Sequence, residues 1–231
     1  GSTVLNGNVS GTAFLAKYTS NMLFLWAFNF GKSGIAATDN SIRGIAVDKN
    51  NNICITGFVQ YATNIDFDPS PTGTANLVPN GLYDAYVAKY TASGGYTWAF
   101  LLGGNAVDDA RDIITDNNNN IYITGVANTT SIDFDPSSST ATATAQSGGQ
   151  NMMLASYNPN GQYRWGKLIG NTGNDAGQRL AIFGNSLYVT GSFGGTVNFN
   201  QGSSPAANMA SIGNTDIFAA RYALQNGNIQ C

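Results

Sequence analysis

The chain of 231 residues contains no histidine, two cysteines and six prolines. The absence of imidazole removes the side chain most often used as a general base or metal ligand near neutral pH. Ser–His and Cys–His nucleophile pairs are therefore excluded. Charge is scarce as well: 10% of the residues are Asp, Glu, Lys or Arg, against roughly 25% in ordinary soluble domains. With a net charge of −3 and no basic stretch, nucleic acid and anionic membranes are not expected partners. No apolar run approaches the length of about 18 residues that a spanning helix needs, so no membrane insertion is expected. No signal peptide opens the chain, and Gly1-Ser2 is compatible with the removal of one.

What the chain has instead is glycine (28 residues), Asn, Ser and Thr, and a repeat. Tyr18, Tyr90, Tyr157 and Tyr222 close the related segments LAKY, VAKY, LASY and AARY. Trp26, Trp98 and Trp165 each follow eight residues after the first three of these tyrosines, so all three tryptophans share one repeat position. Arg43, Arg111 and Arg179 are spaced by 68 and 68 residues, and Thr56-Gly57, Thr124-Gly125 and Thr190-Gly191 by 68 and 66. A period of ~68 residues carrying four strand signals points to a propeller-like or solenoid array.

Each period resolves in the same way. Asp84–Tyr90 alternates apolar with small or polar residues and reads as a strand. Tyr96–Leu102 is a second strand, carrying the Trp, and Arg111–Thr115 is a short apolar third. Asp116–Asn120 is a hairpin turn, since Asn and Asp tolerate positive φ. Ile121–Val126 is the fourth strand, and Ser131–Asp135 reads as a short fifth. No helical period persists, so no helix is expected. The short apolar strand is placed on the axis and the Trp strand at the rim.

The resulting fold class is all-β, a β-propeller-type repeat array of about 3.5 four-stranded blades in one repeat domain, 1–231. Residues 1–30 supply a linker and two orphan outer strands. Blades follow over 31–102, 103–169 and 170–231, the last stopping partway through its rim strand. Such an array is expected to be part of a longer array, to be completed by another copy, or to close as an irregular four-bladed ring patched by residues 1–11. The first two are preferred, because open sheet edges are templates for pairing.

The repeat resembles the SBBP-type β-propeller repeat of bacteria. The residues that carry the resemblance are Ile45–Asp48 with Ile53–Gly57, and Ile113–Asp116 with Ile121–Gly125. They continue in the acidic segments Ile65–Pro69 and Ile132–Pro136, and in the strands Thr12–Tyr18, Asp84–Tyr90 and Asp216–Tyr222. The resemblance implies export, surface display, and adhesion or scaffolding in a secreted or cell-surface protein, and it brings no catalytic residues. The third copy departs most, with Val197–Gln201 reading VNFNQ in place of IDFDP, and Gly184 in place of Asp48 and Asp116.

Four constellations can carry chemistry. Asp66 with Asp68, and Asp133 with Asp135, set two carboxylates on one side of an extended chain. They are Ca²⁺ candidates, or caps on turns over a packed Phe, a reading favoured by Asn198 and Asn200 in the third copy. Asp48–Asn52 and Asp116–Asn120 match half of a calcium loop without its Gly and distal Glu, and a hairpin turn accounts for them. Arg43, Arg111 and Arg179 are candidate ligand-binding residues at a channel mouth, suited to a carboxylate or anionic sugar. The favoured reading pairs them structurally with Asp39, Asp108 and Asp175, because a structural period repeats structural bonds. The tryptophans read as packing between blades rather than as sugar platforms. Cys54 shares a repeat position with Tyr122 and Tyr188 and is expected to pack among apolar groups, while Cys231 offers a thiol for crosslinking two chains.

The function expected from these features is that of a non-enzymatic, extracellular structural or adhesion scaffold that self-assembles, as in a filament, or joins further repeats. The alternative is a glycan- or protein-binding module. A carboxylate-dependent glycoside hydrolase is a third reading. No cofactor is expected beyond Ca²⁺ at the aspartate pairs.

Overall fold

The computed structural model describes Leu5 and residues 13–29, 40–60, 64–145 and 149–230. Among these residues there is no helix. The chain begins with β1 (Phe14–Tyr18) and β2 (Phe24–Asn29), a two-stranded sheet. The next repeat runs through β3 (Asn40–Val47), β4 (Ile53–Gln60), the short β5 (Ile65–Asp66) and β6 (Asn76–Leu77), then β7 (Tyr83–Tyr90) and β8 (Tyr96–Leu102). The following one has β9 (Asp108–Thr115), β10 (Ile121–Ala127), β11 (Ser131–Asp133), β12 (Thr142–Thr144), β13 (Asn151–Tyr157) and β14 (Tyr163–Ile169). The last contains β15 (Ala176–Phe183), β16 (Ser186–Phe193), β17 (Thr196–Asn198), β18 (Asn208–Ala210) and β19 (Asp216–Ala223).

The sheets are antiparallel and ordered β3-β4-β7-β8, β9-β10-β13-β14 and β15-β16-β19. A single bridge, Tyr222 to Ile229, begins the missing rim strand of the third. The chain is thus an all-β, β-propeller-type repeat array. The inner strand is not the shortest: β3, β9 and β15 each have eight residues. The strand also starts before the apolar run at Arg111: polar Asp108 and Asp109 already belong to β9 and pair with Ala127 and Val126.

The inner strands lie side by side. Thr115 Oγ1 donates to the Val47 carbonyl at 3.3 Å, and the Leu180 N–H donates to Asp112 Oδ2 at 2.8 Å. Alternation along each strand then sends one set of side chains to each neighbouring sheet. Ile121 and Ile123 pack toward the preceding sheet with Cys54, Ala85 and Val87. Tyr122, Met152 and Leu154 pack toward the following sheet with Leu187, Val189, Phe218 and Tyr222. Burying each large apolar side chain contributes about 1.5–3 kcal/mol, so the contacts between sheets supply most of the core.

Two further devices recur. Each tryptophan ring lies against a left-handed glycine in the outer hairpin of the next sheet. Trp26 lies against Gly94, Trp98 against Gly161, and Trp165 against Gly227, at φ of 86°, 78° and 66°. A Cβ at these glycines would stand 3.2, 3.0 and 2.6 Å from the indole. The indole N–H donors of Trp98 and Trp165 reach the carbonyls of Pro159 and Leu224. The tryptophans are therefore inter-sheet packing residues. The second device is the repeat tyrosine. The hydroxyls of Tyr90, Tyr157 and Tyr222 donate to the carbonyls of Phe67, Phe134 and Phe199 and tether each short hairpin beneath its sheet.

Candidate functional site

A bulge interrupts each inner strand opposite the Thr-Gly pair. Ile42 and Gly44 pair with Gly57 and Thr56, which leaves Arg43 as the extra residue. Ala110 and Asp112 pair with Gly125 and Thr124, leaving Arg111. In the third sheet the extra residue is Gln178, because Gly177 and Arg179 pair with Gly191 and Thr190. The glycine of each Thr-Gly pair is required by this approach. A Cβ at Gly57, Gly125 or Gly191 would lie 1.9, 2.1 or 1.9 Å from the facing carbonyl oxygen of Ser41, Asp109 or Ala176. Bulges re-aim side chains, and these three send Arg43, Arg111 and Gln178 toward one another.

The result is a cleft of about 440 Å³ lined by Ile42, Arg43, Asp109, Arg111, Gln178 and Arg179. All three arginines singled out by the repeat spacing are gathered there. The carboxylate among them is Asp109, one residue beyond the position to which the spacing pointed. Its Oδ2 lies 3.6 Å from Arg43 Nε and 3.7 Å from Arg111 Nε. Its Oδ1 is buried, with no hydrogen-bond partner among the described residues. Burial raises the carboxyl above its ordinary range, and the two guanidiniums oppose the shift. The Arg43 guanidinium sits 5.0 Å above the Phe58 ring, and Arg179 donates to the Gln178 carbonyl.

Asp108 and Asp175 do other work. Asp108 Oδ2 accepts from the Gly104 N–H, and its Oδ1 from the N–H groups of Asn128 and Thr129. Asp175 takes the N–H groups of Asn171 and Gly194. Both close loops rather than pairing with arginine. Asp39 lies outside the described residues.

The acidic segments are turn caps in this structure. Asp66 Oδ1 accepts from the N–H groups of Asp68 and Ala75, and Asp133 Oδ1 from those of Asp135 and Ala141. Asn198 Oδ1 makes the same pair of bonds to Asn200 and Ala207. Asp68 and Asp135 cap Ser70 and Ser137. The bonds are shared by carboxylate and amide, so charge is not what the position requires. The intervening Phe67, Phe134 and Phe199 are buried. Among the described residues no group of three or more His, Cys, Asp or Glu side chains is placed to hold a metal ion.

The Asn-rich turns are hairpins, with Asn51 and Asn119 at φ 62°. Asp48 Oδ1 accepts from the N–H groups of Asn50 and Asn52, and Asp116 Oδ1 from those of Asn118 and Asn120. Asp48 also forms a buried ion pair with Lys89 at 2.9 Å. At Asp116 the partner is the Tyr122 hydroxyl, which in turn accepts from Arg164. Cys54 is fully buried, and desolvation pushes its thiol up to about 12. Cys231 lies outside the described residues.

No family model matches the chain. Over 179 residues it is 30% identical to an "Uncharacterized WD repeat-containing protein L264" of Acanthamoeba polyphaga mimivirus, an alignment that spans 72% of this chain and 12% of that protein. The chain thus covers a small part of the length of the relative it matches. The similarity runs to a repeat protein, in accord with the β-propeller-type array of sheets described above.

Proposed function

We propose that the chain is a non-enzymatic β-propeller repeat scaffold, of the bacterial surface SBBP type, whose two end faces recruit a second copy head to tail. The similarity to a WD repeat-containing protein supports a scaffold that mediates protein interactions. The charge-poor, Asn/Thr/Ser/Gly-rich composition and the SBBP-like repeat support display outside the cell.

One observation carries the association. Ile217 occupies the repeat position of Ala85 and Met152, which are 0% and 1% exposed, yet it is 88% exposed. Tyr188, equivalent to buried Cys54 and Tyr122, stands open on the same face of the sheet. At the other end Phe14 and Tyr18 are exposed, whereas their equivalents Tyr86 and Tyr90 are buried against the preceding sheet. The two open faces are the two halves of an interface that the chain already makes between its internal sheets. Faces of this kind at opposite ends of one molecule give a heterologous contact, which closes into a ring or extends as a filament.

Sedimentation velocity over a concentration series tests the reading. The wild-type chain is expected to gain mass with concentration, and Ile217→Asp is expected to remain monomeric with an unchanged circular dichroism spectrum. A wild-type chain that stays monomeric throughout, or an Ile217→Asp variant that associates equally well, would overturn it.

A further inference from the structure

The cleft at the inner-strand bulges is chemically unlike the rest of the molecule. Among the described residues, three of the chain's ten cationic side chains meet there against one carboxylate, in a protein whose net charge is −3. Asp109 does not saturate them. Its Oδ2 lies 3.6 and 3.7 Å from the Nε atoms of Arg43 and Arg111, beyond the usual length of a charge-assisted hydrogen bond. Arg43 and Arg111 nonetheless have side chains 47% and 26% exposed, so an incoming ligand can reach them.

We propose that this cleft binds an acidic peptide segment, with the guanidiniums of Arg43, Arg111 and Arg179 gripping neighbouring Asp or Glu side chains. The planar fork of arginine matches a carboxylate through two parallel N–H···O bonds. With Asp109 included, the lining residues carry a net charge of +2, which two adjacent carboxylates would balance. Among the described residues no aromatic ring lines the cleft; Phe58 lies beneath Arg43 rather than at the surface. An anionic sugar would have no platform on which to stack, and this favours a peptide. Asp109 acts as a stand-in ligand: it holds the two inner guanidiniums in place and competes for them. The site is independent of association through the end faces, since it lies at the mouth formed by the inner strands.

The test is fluorescence anisotropy with a labelled hexaglutamate peptide on the intact chain, with hexalysine and hexagalacturonate as comparison probes. Hexaglutamate is expected to bind, more weakly as salt is raised, and the other two are not. Arg111→Gln is expected to weaken binding about tenfold, the effect of one charge-assisted hydrogen bond. Arg179→Gln reads the same loss at an exposed position whose bond is to the Gln178 carbonyl, should Arg111→Gln perturb folding. Asp109→Asn is expected to tighten binding, because it removes the competing carboxylate. Absence of hexaglutamate binding at millimolar concentration, unchanged binding in both arginine variants, or tighter binding of hexagalacturonate would each overturn the proposal.

Discussion

The two faces of one repeat position have opposite fates in this molecule. On the β9-β10-β13-β14 sheet, Tyr122, Met152 and Leu154 are buried by the sheet that follows. On the β15-β16-β19 sheet, the residues at the same positions, Tyr188, Ile217 and Ala219, are exposed. The strands, hairpins and Thr-Gly bulge are present in both. A propeller-type sheet therefore folds its own backbone with local signals, and the stability of its outward face comes from a neighbour. This is the thermodynamics of repeat arrays, in which interface terms between neighbours add to the intrinsic stability of each unit.

Truncation on the two faces gives the largest contrast. Met152→Ala is expected to cost about 2–5 kcal/mol in urea denaturation, and Ile217→Ala less than about 0.5 kcal/mol at concentrations where the chain is monomeric. Comparable losses would mean that the last sheet is covered in solution.

Glycine substitutions sharpen the same comparison with backbone strain held constant. Gly161 and Gly202 have φ of 78° and 77°. A Cβ at Gly161 would stand 3.0 Å from the Trp98 ring, whereas nothing lies within 4 Å at Gly202. Both Ala variants should lose about 1–2 kcal/mol to the left-handed conformation. Only Gly161→Ala should lose a further ~1–3 kcal/mol through overpacking between sheets. Equal melting temperatures would contradict the packing role given to the tryptophan.

Burial also has a pH signature. Asp108 is pushed up to about 6, by desolvation first, against hydrogen bonds from Gly104 and Thr129. Its folded-state pKa lies above the unfolded value of about 3.9. The folded state therefore binds the extra proton between about pH 4 and 6, and this group opposes folding at pH 7. Lowering the pH from 7 to 5 should relieve on the order of 1–2 kcal/mol. Asp108→Asn should flatten this part of the profile, and an unchanged profile in the variant would remove the assignment.

The smallest effect is expected where the repeat itself has already made the substitution. Asn198 fills the cap held elsewhere by Asp66 and Asp133. Asp133→Asn should accordingly change stability by less than about 1 kcal/mol. A chelator should leave the melting temperature unchanged in both proteins. A chelator-sensitive wild type with an insensitive variant would instead establish a Ca²⁺ site at Asp133 and Asp135.

Much of this architecture is legible in the sequence, because its signals are local. Alternation marks β7 and β13, positive-φ asparagines mark the hairpins, and the recurring tryptophans mark one packing position. What escaped depends on backbone register. The bulge opposite Thr-Gly adds no unusual residue, so spacing pointed to Asp108 as the arginine partner when pairing places Asp109 there. It also placed Arg179 in register with Arg43 and Arg111. The shorter hairpin at Gly184 instead gives the bulge to Gln178 and pairs Arg179 with Thr190. The strands β12 and β18 leave no periodic pattern in the sequence, because each makes only three pairs. The three arginines that share the period line one cleft.

The central claim is that the open face of the last sheet and the open face of the first are two halves of one interface. Hydroxyl-radical footprinting at low and high protein concentration reads both faces at once. The account predicts that Tyr188 and Ile217 lose reactivity together with Phe14 and Tyr18 as concentration rises. The exposed Val78, in the loop after β6, should remain unchanged. Protection at one end alone, or at neither end across a range in which mass increases, would contradict it.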